Sequence, residues 1–119
     1  MSHEATLRDV YEALNRKDAA AAASALTDDA VFHMLPNPMI SAATLTGRQE
    51  ILAFMEQELA KTDMQQEISA ISENGDFATV YVESRSIGDD GVEQLVKWAD
   101  LFQFAPGTNK ICRHVSFAG

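Results

Sequence analysis

Cysteine is almost missing from this chain. Cys112 is the only one in 119 residues, which excludes a disulfide framework and a cysteine-based zinc site. Histidine is nearly as scarce: His3, His33 and His114 stand far apart with no His-Glu-x-x-His spacing, so no metal and no cofactor are expected. Glycine-rich phosphate loops are absent too. Cations run short, with 9 Lys and Arg against 18 Asp and Glu and a formal net charge of −9. The basic residues are scattered, so the chain lacks the cationic patch that displaces counterions from nucleic acid or grips an anionic membrane. Long hydrophobic runs are also missing. The longest apolar-leaning stretch without charge, Ala19 to Leu26, is far too short to cross a bilayer. No basic-then-apolar leader opens the sequence. The expectation is a cytoplasmic protein with neither nucleic acid nor membrane as partner.

What is present reads as one globular domain spanning 1–119. Hydrophobic residues at 46% and charged residues at 23% are ordinary for a folded protein and argue against disorder. A chain of this length buries roughly two-thirds of its unfolded surface, enough for one core.

The first third carries helical periodicity. Leu7, Val10, Tyr11 and Leu14 recur at the i, i+3, i+4, i+7 spacing of one buried face. Asp18 can cap a second helix running through the alanines to Leu26. Thr27-Asp28-Asp29 is expected to turn the chain, and Ala30 to Leu35 to form a short strand stopped by Pro36 and Pro38. Asn37 to Leu45 lacks periodicity and reads as a loop or short cover. Thr46-Gly47-Arg48-Gln49 matches a capping box opening a third helix, with Ile51, Leu52, Phe54, Met55 and Leu59 on its apolar face. From Met64 the signals turn to β. Asn74-Gly75, Gly88-Asp89-Asp90-Gly91 and Ala105-Pro106-Gly107-Thr108-Asn109 punctuate four strands, Met64–Glu73, Asp76–Ile87, Val92–Phe104 and Lys110–Ala118. Helices followed by an antiparallel meander predict an α+β domain with the helices on one sheet face.

Turns set register, and register decides which side chains share a face. A two-residue turn at Asp89-Asp90 places Tyr81 opposite Trp98 and Thr79 opposite Asp100. A loop symmetric about Gly107 places Asp100 opposite His114 and Trp98 opposite Ser116. One face then carries Thr79, Tyr81, Trp98, Asp100, His114 and Ser116, with Val96, Phe102 and Phe104 on the same side and Glu83 along it; a loop off by one residue breaks the cluster. A carboxyl among aromatic neighbours is pushed up by desolvation and down by a protonated imidazole; either suits acid–base work near neutral pH. Tyr81 can donate to a developing oxyanion. Plainer readings exist for each residue. Asp100 and His114 can be a satisfied buried pair. Trp98 and Phe102 can be core, Tyr81 can pack on Trp98, His33 can be structural, and Glu83 can sit on a solvated strand end. Cys112 reads as a small buried hydrophobe.

The order of helix, "ALNRKD", second helix, "LTDDAVFH", proline loop, "LTGRQEILAF" and four strands with "WADLFQF" resembles the SnoaL-like branch of the nuclear transport factor 2-like superfamily. Ketosteroid isomerases, limonene epoxide hydrolases and polyketide cyclases share that pattern. The resemblance covers nearly the whole chain and implies a cone, a cystatin-like α+β barrel, in which a curved antiparallel sheet wraps N-terminal helices around a deep apolar pocket. It also implies dimerisation through the outer sheet face. Asp100 matches the isomerase aspartic acid that donates to the substrate oxyanion. The isomerase's oxyanion tyrosine falls on Val10 and its base on Met34, which argues against steroid isomerisation. The Asp-Arg-Asp set of the epoxide hydrolases falls on Glu83, Tyr81 and Ser116, and their water-holders on Phe32 and Met34, so only one carboxylate is kept. The resemblance implies that Trp98, Asp100 and His114 face the pocket.

The leading expectation is a cofactor-free enzyme of isomerase, cyclase, dehydratase or hydrolase type. Its substrate is a compact apolar molecule bearing a carbonyl, hydroxyl or epoxide. Asp100 and His114 form the acid–base pair and Tyr81 orients an oxygen. Trp98, Phe102, Phe54 and Met34 line the cavity, and Glu83, His33 and Ser116 complete the binding set. The rival expectation is a non-catalytic binding or dimerisation module, with a carrier for hydrophobic metabolites as a third. Leu95, Ala99 and Leu101, beside Ile111, Val115 and Phe117, offer an apolar outer face that a second copy covers.

Overall fold

The computed structural model describes residues 2–35, 43–61, 63–87 and 90–118. Helix α1, His3–Asn15, starts where the Ser2 hydroxyl accepts the Ala5 N–H at 3.1 Å. Its stripe is the one the periodicity marks: Leu7 and Tyr11 are buried, Val10 and Leu14 half-buried. Asp18 caps α2, Ala19–Ala23, by accepting the Ala21 N–H at 3.1 Å. This helix stops three residues short of the expected Leu26. There the backbone is already committed to the sheet, with the Ile111 N–H donating to the Ala25 carbonyl at 2.7 Å.

Strand β1, Leu26–Met34, contains Thr27, Asp28 and Asp29, so the expected turn is a strand instead. The register slips between Leu26 and Val31, and the slip lets both carboxylates face water without ending the strand. Arg48 meets Asp28 there at 2.7 Å. The proline stop at Pro36 and Pro38 lies outside the described residues. The expected loop from Asn37 to Leu45 ends as a strand: β2, Ala43–Thr46, pairs antiparallel with β1. Thr46 therefore does not cap the next helix. Gly47 does, at φ 93 and without a side-chain bond, and α3 covers Arg48–Leu59.

The β half follows as a meander. Asn74 pairs with Phe77 around Gly75, at φ 61, joining β3, Gln65–Asn74, to β4, Phe77–Ile87. Strands β5, Glu93–Phe104, and β6, Ile111–Ala118, complete it. The six-stranded sheet has the order β2-β1-β6-β5-β4-β3, antiparallel except for β1 against β6. Bulges in β1, in β3 and between Gln103 and Phe104 bend it. Helix α1 packs toward β3 and α3 toward β1, with α2 bridging the two helices, so all three cover one face. Val80, Val82, Phe102, Phe104 and Ile111 form the floor of the core. Ile111, expected on the outer face, is thus an inward residue, displaced by the bulge beside it. His3 stacks on Phe104 at 3.8 Å and bonds Asn109 at 2.8 Å, closing one end of the core. Among the described residues no helix is long and apolar enough to cross a membrane.

Candidate functional site

The cluster expected on one sheet face divides in two. Ile87 pairs with Glu93, so five residues separate β4 from β5 rather than two between adjacent pairs at Asp89-Asp90. The Gly88-Asp89 half of that turn lies outside the described residues. This register differs by one position from the expected one, and one position inverts a strand's faces. Tyr81 therefore pairs with Ala99 and is 50% exposed on the outer face. Glu83 lies on that same face, 3.8 Å from Lys97 and 3.9 Å from Arg85. In their place Val80 and Val82 point inward. Between β5 and β6 the register differs by two: Asp100 pairs with Ser116, and Phe102 with His114. A two-residue slip preserves faces, so Trp98, Asp100, Phe102, His114 and Ser116 stay together. His33 is a further correction. It alternates with Phe32 and Met34, so it points away from the core and lies 3.2 Å from Thr44 on β2.

The inward set lines a cavity of about 320 Å³ together with Met34 from β1 and Phe54 from α3, at the lower end of the range for small-ligand pockets. Glu58, half-buried, and Lys61, exposed, stand 3.9 Å apart; they belong to the same lining and mark where it meets water. The buried end is polar. Asp100 is 3% exposed, and its Oδ2 accepts the Tyr11 hydroxyl. Its Oδ1 lies 3.0 Å from His114 Nε2. The Nε2–H does not point at that oxygen, so the contact is a charge pairing more than a directed bond. His114 is clamped between Phe32 and Phe102, each 4.2 Å away and within 10° and 19° of parallel. Burial pushes the Asp100 carboxyl up, but the neighbouring His114 and hydrogen bonding from Tyr11 and Ser116 outweigh it and hold the carboxyl below the usual carboxylate range. Burial pushes the Tyr11 phenol well above its ordinary value, and the adjacent Asp100 carboxylate adds to that.

Tyr11 is the site residue that sequence reasoning passed over. It was legible only as part of the Leu7–Leu14 stripe, yet a phenol on a core stripe needs a partner for its hydroxyl, and that requirement is the signal that could have found it. Among the described residues no group of three or more His, Cys, Asp or Glu is placed to hold a metal. Cys112 is half-buried and lies outside the cavity lining.

The sequence profile of the SnoaL-like domain matches residues 7–114. No curated protein sequence matches the chain. Among solved structures, an NTF2-like protein of unknown function from Burkholderia pseudomallei superposes with a TM-score of 0.84 at 22% identity, covering 100% of this chain and 92% of that one. TerC, co-crystallised with polyporic acid, gives 0.82 at 15% identity over 98% and 91%. SalBIII, an epoxide hydrolase/cyclase-like enzyme in pyran ring formation in the polyether salinomycin, gives 0.80 at 15% over 98% and 90%. At these identities the likeness is one of fold.

Proposed function

Because the chain belongs to the SnoaL-like domain family, we propose that it is a cofactor-free enzyme moving protons on a compact apolar molecule that bears a carbonyl, hydroxyl or epoxide. The observation that carries this reading is the meeting of an open apolar cavity with one buried carboxylate–imidazole pair, Asp100 and His114. Trp98 and Met34 stand in the cavity wall and leave its interior open, as a ligand site requires and a purely structural core does not. An imidazole backed by a buried carboxylate at such a cavity is the minimum for taking a proton from one position of a bound molecule and returning it at another. Structural relatives that form a pyran ring or were crystallised with polyporic acid favour an oxygenated, ring-forming or ring-bearing substrate and cyclase- or isomerase-type chemistry. A cytoplasmic location and a homodimer through the outer sheet face are part of the same proposal.

A carrier without turnover is the second reading, favoured by the hydrogen bonds that Asp100 already accepts from Tyr11 and Ser116. Trp98 is the only tryptophan and lines the cavity, so its fluorescence reports occupancy directly. Titration with small enols, phenols, cyclic ketones and epoxides is expected to quench or shift that emission. Compounds that bind are then assayed for turnover. Asp100→Asn and His114→Ala are each expected to lower turnover by about 100-fold or more while Trp98 still reports binding. Binding with no turnover in the wild type establishes the carrier; no binding across the panel overturns the pocket reading.

A further inference from the structure

We propose that His114 is the group that acts on the ligand, and that Asp100 and Tyr11, at the buried end of the same cavity, are positioning residues acting through it. This division of labour rests on the ligand-pocket reading above and specifies which group does the chemistry there. It follows from access. The Asp100 side chain keeps 5% of its surface open and Tyr11 is buried, whereas the His114 side chain keeps 23% open. Both Asp100 oxygens are already engaged, Oδ2 by the Tyr11 hydroxyl and Oδ1 by the nearby His114 Nε2. The single phenolic proton of Tyr11 points at Asp100, so Tyr11 has none left to give a ligand oxygen. Nε2 is itself buried, 3.0 Å from the carboxylate, so the open part of the imidazole lies elsewhere on the ring.

The Phe32 and Phe102 faces stop the ring from tilting, and Asp100, 3.0 Å from Nε2, fixes its orientation. Tyr11 sits one step further back and sets how much negative charge Asp100 presents. The arrangement inverts the pattern in which a neutral carboxylic acid donates to a substrate oxyanion. Here the carboxyl is held ionised by its donors, and the imidazole faces the ligand. The other ionisable side chains of the lining are Glu58 and Lys61, at the mouth; they are paired with each other where solvent screens them, so they exert little on the buried group.

The test uses the free protein, so its outcome is independent of whether any compound binds. The Asp100 carboxyl is followed by 13C NMR through a pH titration and identified by its loss in Asp100→Asn. His114 is followed through its ring 15N resonances at neutral pH. Tyr11→Phe removes one donor and is expected to raise the Asp100 midpoint by about half a unit or more and to move the His114 ring resonances. Tyr81→Phe, on the outer face, is expected to change neither. A folded Tyr11→Phe protein with an unmoved Asp100 midpoint and unmoved His114 resonances overturns the proposal. Should Tyr11→Phe fail to fold, fluorotyrosine incorporated in the Tyr81→Phe background makes the remaining phenol a stronger donor. The Asp100 midpoint is then expected to fall further, and an unchanged midpoint overturns the proposal equally.

Discussion

A carboxylate buried among aromatic rings is tolerable only because its neighbours supply what water would. Asp100 has the Tyr11 hydroxyl, Ser116 and His114 as substitutes, and the arrangement has a consequence for stability. Its carboxyl is held low in the folded protein, so it contributes stability that is present above the unfolded value near 3.9 and lost as pH falls through the folded one. The Tyr11 phenol is held high, so its contribution is present below about pH 10 and lost as pH rises beyond it. Chemical denaturation across pH is expected to show a plateau with an acid and an alkaline limb. Asp100→Asn is expected to flatten the acid limb, and Tyr11→Phe the alkaline one. Neither residue could be ranked from its neighbours in sequence. Asp100 was conspicuous inside Trp98–Phe104 because a charge interrupts an apolar strand face. Tyr11 was hidden because a phenol on a helical stripe looks like one more core residue.

At the scale of elements, the junction between β2 and α3 shows how backbone conformation outranks a side-chain motif. Thr46-Gly47-Arg48-Gln49 has the letters of a capping box, but Thr46 is the last residue of β2 and pairs with Val31. The chain leaves that strand and enters the helix within one residue, which demands the left-handed φ of 93 at Gly47. The Gly47 N–H also donates to the Ala30 carbonyl at 2.7 Å, tying the junction to β1. A Cβ there would sit 3.8 Å from the Asp28 carbonyl, an ordinary contact, so the cost of adding one is conformational rather than steric crowding. Gly47→Ala is expected to destabilise the protein by about 1 kcal/mol or more in urea unfolding. Loop length is the other lesson at this scale. One residue of register between β4 and β5 sent Tyr81 and Glu83 out of the pocket, while two residues between β5 and β6 left Asp100 and His114 facing the same way.

For the molecule as a whole, the sheet divides the described residues into a helix-covered face that holds the cavity and an outer face that none of the described elements covers. Tyr81, Ala99 and Phe117 form one continuous row across β4, β5 and β6 on that outer face, with Leu101 and Val115 in the next. Tyr81 and Phe117 are 50% and 40% exposed. Large apolar side chains aligned on one exposed sheet face are what a symmetric partner covers. Sedimentation at micromolar concentration is expected to give twice the 13.0 kDa chain mass, and Tyr81→Glu to give a monomer that keeps its pocket. A monomeric wild type removes the outer face as an interface and leaves the cavity argument intact.

Local rules in the sequence determined the α+β class, the two N-terminal helices, the hairpin at Asn74-Gly75 and the inward aromatic face of β5. Helical periodicity, turn chemistry and strand alternation act over a few residues and need no knowledge of what lies across the fold. Tertiary structure alone decided the rest. The pairing of β1 with β2, the register between strands and the hydroxyl of Tyr11 on Asp100 join residues up to 89 positions apart. Each of these depends on how loops close and how the sheet bends, and a single residue of loop length inverts a strand's faces. The pocket is therefore the product of long-range register acting on side chains whose chemistry the sequence already displayed.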